Sequence, residues 1–349
     1  MMEYRTEQLN DSNSTDWEQL NDTATDGSFC HSLKWKTVLE RTFGYAPRYF
    51  LIYRNNEPVA LCPFYKTKIK CFNGVATLPN SIYDHIIVSD KQDFQLAKKI
   101  QNTIRDLLRQ EKLTFAIVGL TSEMKDYFYG LPVSSPYPTG GNQVLNIQEN
   151  SIDNIWNSLF SKHQRNKIRR FVKEEFTPDE INSKEDLDTF FRYYTKNMEY
   201  KNIGRKLSNE YPPDCKFERE IIKTYNREVI VVMLRRKEDV AGGALFLSFK
   251  SGRKMYLRLL WPNRDLPNTF SPAWYLCWFG VNRAHEMGFS TFCFGDTPDN
   301  PDDVNYQIKA KFGAQFQRRY ATILSENKIF SLTYNLFRFA QQHKLASHM

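Results

Sequence analysis

Apolar residues recur along the first half of the chain with both helical and strand spacing, which predicts a mixed α/β fold. In residues 93–111 one helical stripe is formed by Ala97, Ile100, Ile104, Leu107 and Leu108. The continuous apolar run "TFAIVGL", residues 114–120, predicts a buried strand. The segment "RYFLIYRNNEPVALCPFYKTK" predicts two strands joined by a polar turn at Asn55, Asn56 and Glu57.

The second half has a longer predicted order of elements. Helices are predicted at about 151–174, 185–200 and 215–226. Three strands follow in succession, "EVIVVMLRR", "VAGGALFLSF" and "KMYLRLLW". After them the pattern predicts a helix over 272–287, the strand "STFCFG", a short helix and a last strand near "RRYATIL".

The two halves repeat each other in outline. "YFLIYRNNEPVAL" and "VVMLRRKEDVAGGAL" share the order strand, polar turn with an acid, strand. "IRDLLRQEKLTFAIVG" and "VNRAHEMGFSTFCFG" share helix, short turn, apolar strand and terminal glycine. Two pairs at a similar offset predict a duplicated unit. We therefore expect one domain over residues 1–150, a second over 151–325, and a C-terminal helix and tail over 326–349.

Composition and charge narrow the class of protein. The chain has 349 residues, 41% of them hydrophobic, and a formal net charge of +8, which favours anionic partners. None of the six cysteines forms a C-x-x-C pair, so the sequence indicates neither a zinc site nor a disulfide framework. The N-terminus lacks the pattern of a secretory signal, and no apolar run has the length of a membrane span. A cytoplasmic location is the expectation.

A basic segment lies at the start of the second half. Residues 161–173 contain no acid and six cations, Lys162, Arg165, Lys167, Arg169, Arg170 and Lys173. On a helix Lys162, Arg165 and Arg169 share one face, which suits a phosphate or a carboxylate. The alternative is a basic face that contacts only solvent.

An acidic loop and two lysines follow the strand "STFCFG". Asp296 lies just past the strand end, where α/β folds expose side chains to ligands, and it could hold or deprotonate an ammonium group. The alternative is a turn or helix-capping aspartate. Lys309 and Lys311 are about 200° apart on a helix and should point in different directions. Gly313 should end this helix in the left-handed conformation.

The order of elements in the second half resembles the GNAT acyltransferase fold, and two such units in tandem resemble the FemAB-like subgroup. "SKHQRNKIRR" is similar to the subgroup's Ser-Lys-x-x-Arg-x-x-Ile-Arg segment, and "CFGDTPDNPDDVNYQIKAKFGAQF" is similar to its strand–glycine–loop–Tyr-x-x-Lys-x-x-Phe-Gly signature. "FCHSLKWKTVLERTFG" matches more loosely, with His31 where the subgroup often has glutamine. The resemblance implies an α/β (α+β) protein of two tandem GNAT-like domains, each a central mixed sheet flanked by helices.

The resemblance also implies a function. Such proteins move an acyl or aminoacyl group from aminoacyl-tRNA or acyl-CoA to a primary amine of a small or cell-envelope-type acceptor. No cofactor stays bound, no metal is used, and the amine attacks directly. Lys309 would line the donor–acceptor pocket and stabilise the oxyanion. The turn "PNRDLPNTFSPAWY" has no glycine where acyl-CoA enzymes of this fold usually have an Arg/Gln-x-x-Gly-x-Gly/Ala turn, which counts against acyl-CoA as the donor. Aminoacyl-tRNA and acyl-CoA both stay candidates.

Further residues are candidates for binding substrate. Tyr256 and Arg258 alternate on a strand, Tyr275 begins the next helix, and Tyr306 lies one helical turn before Lys309. Core packing or a surface ion pair is the alternative for each. Two rival functions remain, a non-catalytic module that binds tRNA or another polyanion, and an acyl-CoA-dependent N-acyltransferase acting on a sugar or lipid amine. Neither DNA nor a membrane span is expected, and peripheral membrane contact stays open.

Overall fold

The computed structural model describes residues 3–128, 136–202, 215–266 and 271–334. The chain divides into two compact units. The first unit comprises residues 1–36, 44–140 and 318–349, and the second comprises residues 37–43 and 141–317.

The first unit is built on a mixed sheet. Its strands are β1 (Tyr4–Gln8), β2 (Pro47–Arg54), β3 (Glu57–Ile69), β4 (Phe72–Thr77), β5 (Ile87–Val88), β6 (Phe115–Thr121) and the end of β13 (Gln315–Leu324). The order across the sheet is β1-β2-β3-β4-β6-β13, with β5 against β3. β4 and β6 are parallel, and the other neighbours in this order are antiparallel.

The helices of the first unit cover this sheet. They are α1 (Ser14–Thr23), α3 (Phe94–Gln110) and the start of α2 (Leu33–Phe43). The predicted stripe on α3 is buried in full, and it packs with Val118 and Leu120 of β6 in one apolar core. Burial of such a stripe stabilises a helix more than its intrinsic propensity does.

The second unit repeats the arrangement. Its strands are β8 (Thr177–Glu180), β9 (Val229–Arg236), β10 (Asp239–Phe249), β11 (Lys254–Pro262), β12 (Thr291–Thr297) and most of the paired part of β7 (Tyr137–Asn146). The order is β7-β12-β11-β10-β9-β8. Again one neighbouring pair, β11 and β12, is parallel, and the others are antiparallel. The expected duplication and mixed sheets are confirmed.

The helices of the second unit are α4 (Ile152–Asn154), α5 (Lys162–Val172), α6 (Lys184–Asn202), α7 (Lys216–Tyr225), α8 (Pro272–Glu286) and α9 (Val304–Ala310). The single helix predicted over 151–174 is wrong. A π-helical turn at Ile155–Leu159 follows α4, and α5 begins separately after Ser161. Ser161 and Gln164 form a reciprocal capping box, which satisfies amide groups at a new helix start.

The last strand of each repeat belongs to the other unit. β7 follows β6 in the chain, yet its residues 141–146 pair with β12 in the second unit. β13 follows β12, yet Arg319–Leu324 pair with β6 in the first unit. The domain division expected near residue 150 stays a prediction, and the compact units differ from it because of this exchange. In the described part of the chain, no helix is long and apolar enough to cross a membrane.

Candidate active site

Two neighbouring strands of the second unit separate and leave a pocket. β11 and β12 pair in parallel from Lys254 and Thr291 to Tyr256 and Cys293, and the ladder ends there. Beyond this point Leu257 of β11 and Phe294 of β12 face a pocket of about 200 Å³. A pocket at the carboxyl end of parallel strands is a common place for a ligand in α/β folds.

Four elements form the wall of this pocket. β11 and α8 contribute Leu257, Leu260, Pro262, Ala273, Trp274 and Cys277. The other side is formed by β12, α9 and the turn that follows α9, with Phe294, Asn305, Ile308, Lys309 and Phe312. The α9 members have the spacing i, i+3, i+4 and i+7, so one face of the helix lines the pocket.

Lys309 is fixed by the end of β12. Its Nζ donates to the carbonyl oxygens of Gly295 and Asp296, at 3.3 and 2.6 Å, and to Thr297 Oγ1 at 3.0 Å. An ammonium group has three N–H donors, so the folded chain already provides an acceptor for each of them. Lys309 therefore joins α9 to β12 as well as lining the pocket.

A β-bulge places these acceptors. The pairing of β12 with β7 shifts between Cys293 and Asp296, so the bulge includes Gly295. Gly295 has φ +82°, a conformation that costs a residue with a side chain about 1–2 kcal/mol. The bulge turns consecutive carbonyl oxygens towards α9, and glycine at position 295 makes that turn possible.

Burial changes the ionisation of the pocket's polar groups. Burial lowers the pKa of Lys309 below its ordinary value, against the raising effect of Cys293 and Asp296. Burial also raises the pKa of the Cys277 thiol to about 12, although nearby Lys309 opposes that shift. Cys277 is therefore a neutral thiol near pH 7, and a neutral thiol is a poor nucleophile.

The other candidates near α9 lie outside the pocket wall. Asp296 is exposed and contributes its backbone carbonyl to Lys309. The Tyr306 ring packs on Phe316, with ring centroids 5.1 Å apart. Lys311 is exposed. The sequence had suggested that Tyr306 and Lys309 face the same pocket. In the structure Lys309 instead lines the pocket together with Ile308 and Asn305.

The basic helix α5 divides its cations among different tasks. Arg165 donates to the carbonyl oxygens of Trp156, Asn157 and Phe160, so it caps the π-helical turn. Arg169 lies over the Trp156 ring, 5.7 Å from its centroid, and Lys162 is exposed. The sequence had suggested that Lys162, Arg165 and Arg169 bind a ligand together. The guanidinium of Arg165 already donates to three backbone carbonyls, which leaves Lys162 and Arg169 as candidates on that face.

The strand and helix candidates are packing residues in this structure. Tyr256 is fully buried. Arg258 is the extra residue of a bulge between β11 and β10, and it forms a buried ion pair with Glu218 at 3.7 Å. Because of the bulge, Leu257 and Leu260 both line the pocket, although they are three residues apart. The Tyr275 ring contacts Phe171 at 5.2 Å, and burial raises the pKa of Tyr275.

Sequence reasoning missed several residues that form the site. Thr297 is fully buried and bonds both Lys309 and the Gly295 carbonyl. Gln164 is fully buried and donates to the Ile308 carbonyl at 3.4 Å, which joins α5 to α9. The spacing of Ser161 and Gln164 matches a capping box, so the start of α5 could have been predicted from the sequence. No sequence pattern indicated the role of Thr297.

No protein-family model matches the chain, and no curated protein matches it. Solved structures do match. A crystal structure of FemX covers 92% of this chain and 97% of its own, with 14% identity and a TM-score of 0.67. A tandem GNAT protein from the clavulanic acid biosynthesis pathway covers 92% and 97%, with 11% identity and a TM-score of 0.57. L-PGS from Bacillus licheniformis covers 86% and 94%, with 13% identity and a TM-score of 0.53. The chain therefore has the tandem GNAT fold of these proteins.

Proposed function

We propose that the protein transfers an acyl or aminoacyl group from an activated donor to a primary amine. The observation that carries this proposal is the pocket where β11 and β12 separate, with the fixed cation of Lys309 in its wall. A preorganised positive group beside a pocket suits a reaction that develops negative charge on a carbonyl oxygen. Similarity in fold to FemX and a tandem GNAT protein supports the same class of reaction.

In the proposed reaction the amine nitrogen attacks the carbonyl carbon of the donor. A C–N bond forms, and the C–O bond of an ester or the C–S bond of a thioester breaks. The second proton that the nitrogen loses goes to the departing oxygen or sulfur, which leaves as a hydroxyl or a thiol. The carbonyl oxygen replaces one of the three acceptors of Lys309 and becomes the oxyanion. The carboxylate of Asp296, exposed at the end of the same strand, accepts the proton that the ammonium form of the acceptor loses.

Direct attack is part of the proposal. Cys277 is the cysteine in the pocket wall, and its raised pKa keeps it neutral. A covalent intermediate on sulfur would need the thiolate. The state of Cys277 therefore supports transfer in one step from donor to acceptor.

The exposed cations of α5 are proposed to contact the donor. Lys162 is exposed, and Arg169 is exposed on the same helix. Phosphate groups occur in both candidate donors, aminoacyl-tRNA and acyl-CoA, and exposed cations attract both. The acceptor is proposed to be a small or cell-envelope-type amine.

A paired substitution tests the proposal. Mass spectrometry would detect transfer products after incubation with acyl-CoA or aminoacyl-tRNA donors and a mixture of primary amines. Lys309→Met should lower turnover by about 10²–10³, the usual loss for one oxyanion-stabilising group. Lys311→Met, at an exposed position on the same segment, is the matched control and should have little effect.

Because Lys309 also holds β12, its variant should lose about 1–3 kcal/mol of stability, so turnover is compared at a temperature where both variants are folded. Equal losses of turnover in the two variants would contradict the role of Lys309. If no donor yields a product and a polyanion binds with steep salt dependence instead, the chain is a binding module.

A further inference from the structure

We propose that the pocket between β11, α8 and α9 receives an apolar tail of about six to eight carbons carried by the transferred acyl group. This inference rests on the proposed transfer function and deepens it by naming the class of group transferred. It would distinguish this chain from an enzyme that transfers an acetyl or another small group.

Most of the residues that line the pocket in the described part of the chain are apolar. Leu257 and Leu260 of β11 face Ile308 of α9, with Trp274 of α8 and Phe312 closing the space between them. Among the lining residues that the structure describes, Asn305 carries a polar amide and Lys309 carries a positive charge. Asn305 is exposed, so it belongs to the rim of the pocket rather than its interior.

The polar groups of the wall offer an apolar tail few hydrogen-bonding partners. The Lys309 ammonium lies at the end of β12, where it donates to Gly295, Asp296 and Thr297 and would meet the carbonyl of the transferred group, whereas its methylene stem is left to contact the apolar tail. The neutral thiol of Cys277 behaves as a small apolar group. A tail rich in hydrogen-bonding groups would lose its water here without gaining partners.

The volume sets the size of the tail. An apolar cavity of about 150 Å³ takes up a benzene ring, which has six carbons. The pocket of about 200 Å³ is somewhat larger. It therefore matches a hexanoyl to octanoyl chain, or an aminoacyl side chain of the size of phenylalanine. The shared chemistry is an apolar tail next to an activated carbonyl.

Binding of short thioesters tests the pocket without any transfer. The probes are acetyl, butanoyl, hexanoyl, octanoyl and decanoyl N-acetylcysteamine, titrated into the full chain by calorimetry. Each added methylene should tighten binding about fourfold, and the gain should stop near octanoyl, where the pocket is full. Affinity that does not depend on chain length would overturn the inference. So would competition by free pantetheine with no effect of the acyl chain, because the pocket would then hold a carrier arm.

A substitution that fills the pocket sharpens the test. Ala273 lines the pocket from α8, so Ala273→Phe should remove part of the gain from acetyl to octanoyl and lower that ratio by at least about tenfold. His285→Phe is the control, because it adds the same side chain at an exposed position of the same helix. Loss of the gain in both variants, or in neither, would contradict the assignment.

Turnover then identifies the source of the tail and separates this inference from the proposed function. Octanoyl-CoA is compared with acetyl-CoA, and phenylalanyl-tRNA with alanyl-tRNA. A preference for the larger group in either pair supports the inference and names the donor. Transfer that favours the small group in both pairs overturns the inference while the proposed function stands. Chain-length-dependent binding without transfer from any donor leaves the pocket assignment standing and removes the proposed function.

Discussion

In the first unit the parallel ladder between β4 and β6 ends at Ala76 and Ile117, and in the second unit the ladder between β11 and β12 ends at Tyr256 and Cys293. Each ladder is three residue pairs long, and in both units a glycine follows on the second strand, Gly119 or Gly295. The two units differ in what occupies the space beyond the ladder.

In the first unit the chain itself fills the space. The Gly119 carbonyl accepts from Ile86 N at 3.1 Å, and Gly119 N donates to Thr77 Oγ1 at 2.8 Å. His85 forms a parallel bridge with Gly119. A Cβ atom at position 119 would lie 2.0 Å from the Asp84 carbonyl oxygen, so the segment packs directly on the glycine.

In the second unit a lysine takes the place of that segment. The Gly295 carbonyl accepts from Lys309, and Thr297, near the end of β12, accepts a second bond from the same ammonium. The space beyond the ladder stays open as the pocket. The comparison teaches that one duplicated scaffold gives a sealed gap or a ligand pocket, depending on whether backbone or a single side chain satisfies the strand end.

The largest expected loss of stability comes from disturbing the segment that packs on Gly119 in the first unit. Gly119→Ala introduces a methyl group against backbone atoms of Asp84 and His85, which cannot move like the end of a side chain. We expect a loss of about 3 kcal/mol of unfolding free energy, at the upper end for overpacking. Chemical denaturation measures it. Gly295→Ala meets its nearest atom, Leu257 O, at 3.1 Å and should cost less, mainly through its positive φ. A greater loss for Gly295→Ala would contradict the comparison.

A matched pair of threonine substitutions has the next largest effect. Thr77→Val removes the acceptor of Gly119 N, and Thr297→Val removes an acceptor of Lys309, both at buried positions. Each should cost about 1–3 kcal/mol, because a buried donor loses its partner. Only Thr297→Val should lower the pKa of Lys309 further, since an acceptor that favours the ammonium is lost. NMR titration of the isotope-labelled lysine side chain would check this, and an unchanged pKa would show that Thr297 does not hold the cation.

The smallest expected effect is the dependence of stability on pH that ionisation of Lys309 causes. The folded pKa of Lys309 lies below the ordinary value of 10.5. Between those two values the unfolded chain keeps a proton that the folded chain has released, so this group's contribution to stability rises with pH. The thermal midpoint of the natural protein should therefore gain on that of Lys309→Met as pH rises towards 10.5. Lys311→Met should run parallel to the natural protein, and a falling difference for Lys309→Met would contradict the direction of the shift.

Much of the fold could be predicted from the sequence, because many elements are specified by residues close together in the chain. The hairpin turn at Asn55 and Asn56 has positive φ at both residues, as a tight hairpin of this kind requires. Gly313 ends the segment after α9 with φ +76°, as predicted. By contrast, β1 and β8 read "YRTEQ" and "TPDE", with few apolar residues, and they form by pairing with β2 and β9. Such strands are specified by a partner far along the chain rather than by their own pattern.

The site was readable only in part for the same reason. The motif pointed to Lys309, which lines the pocket. The apolar wall depends on where β11 and β12 separate, and the alternation on β11 is broken at Arg258 by a bulge. A bulge changes which face a side chain takes, and no periodic pattern announces it. Arg165 was likewise predicted to bind a ligand. In the structure it donates to carbonyl oxygens of the π-helical turn, which the sequence pattern did not predict.

The exchange of β7 and β13 has a consequence for synthesis of the chain on the ribosome. β6 ends at Thr121, but its antiparallel partner begins at Gln315, roughly 190 residues later. At about 5–20 residues per second, this delay lasts about 10–40 s. During that time β6 is a bare edge that can pair with the wrong strand. The start of the first unit is synthesised before the second unit, but its sheet is complete only after β13 has been synthesised, so the nascent chain exposes this edge until then.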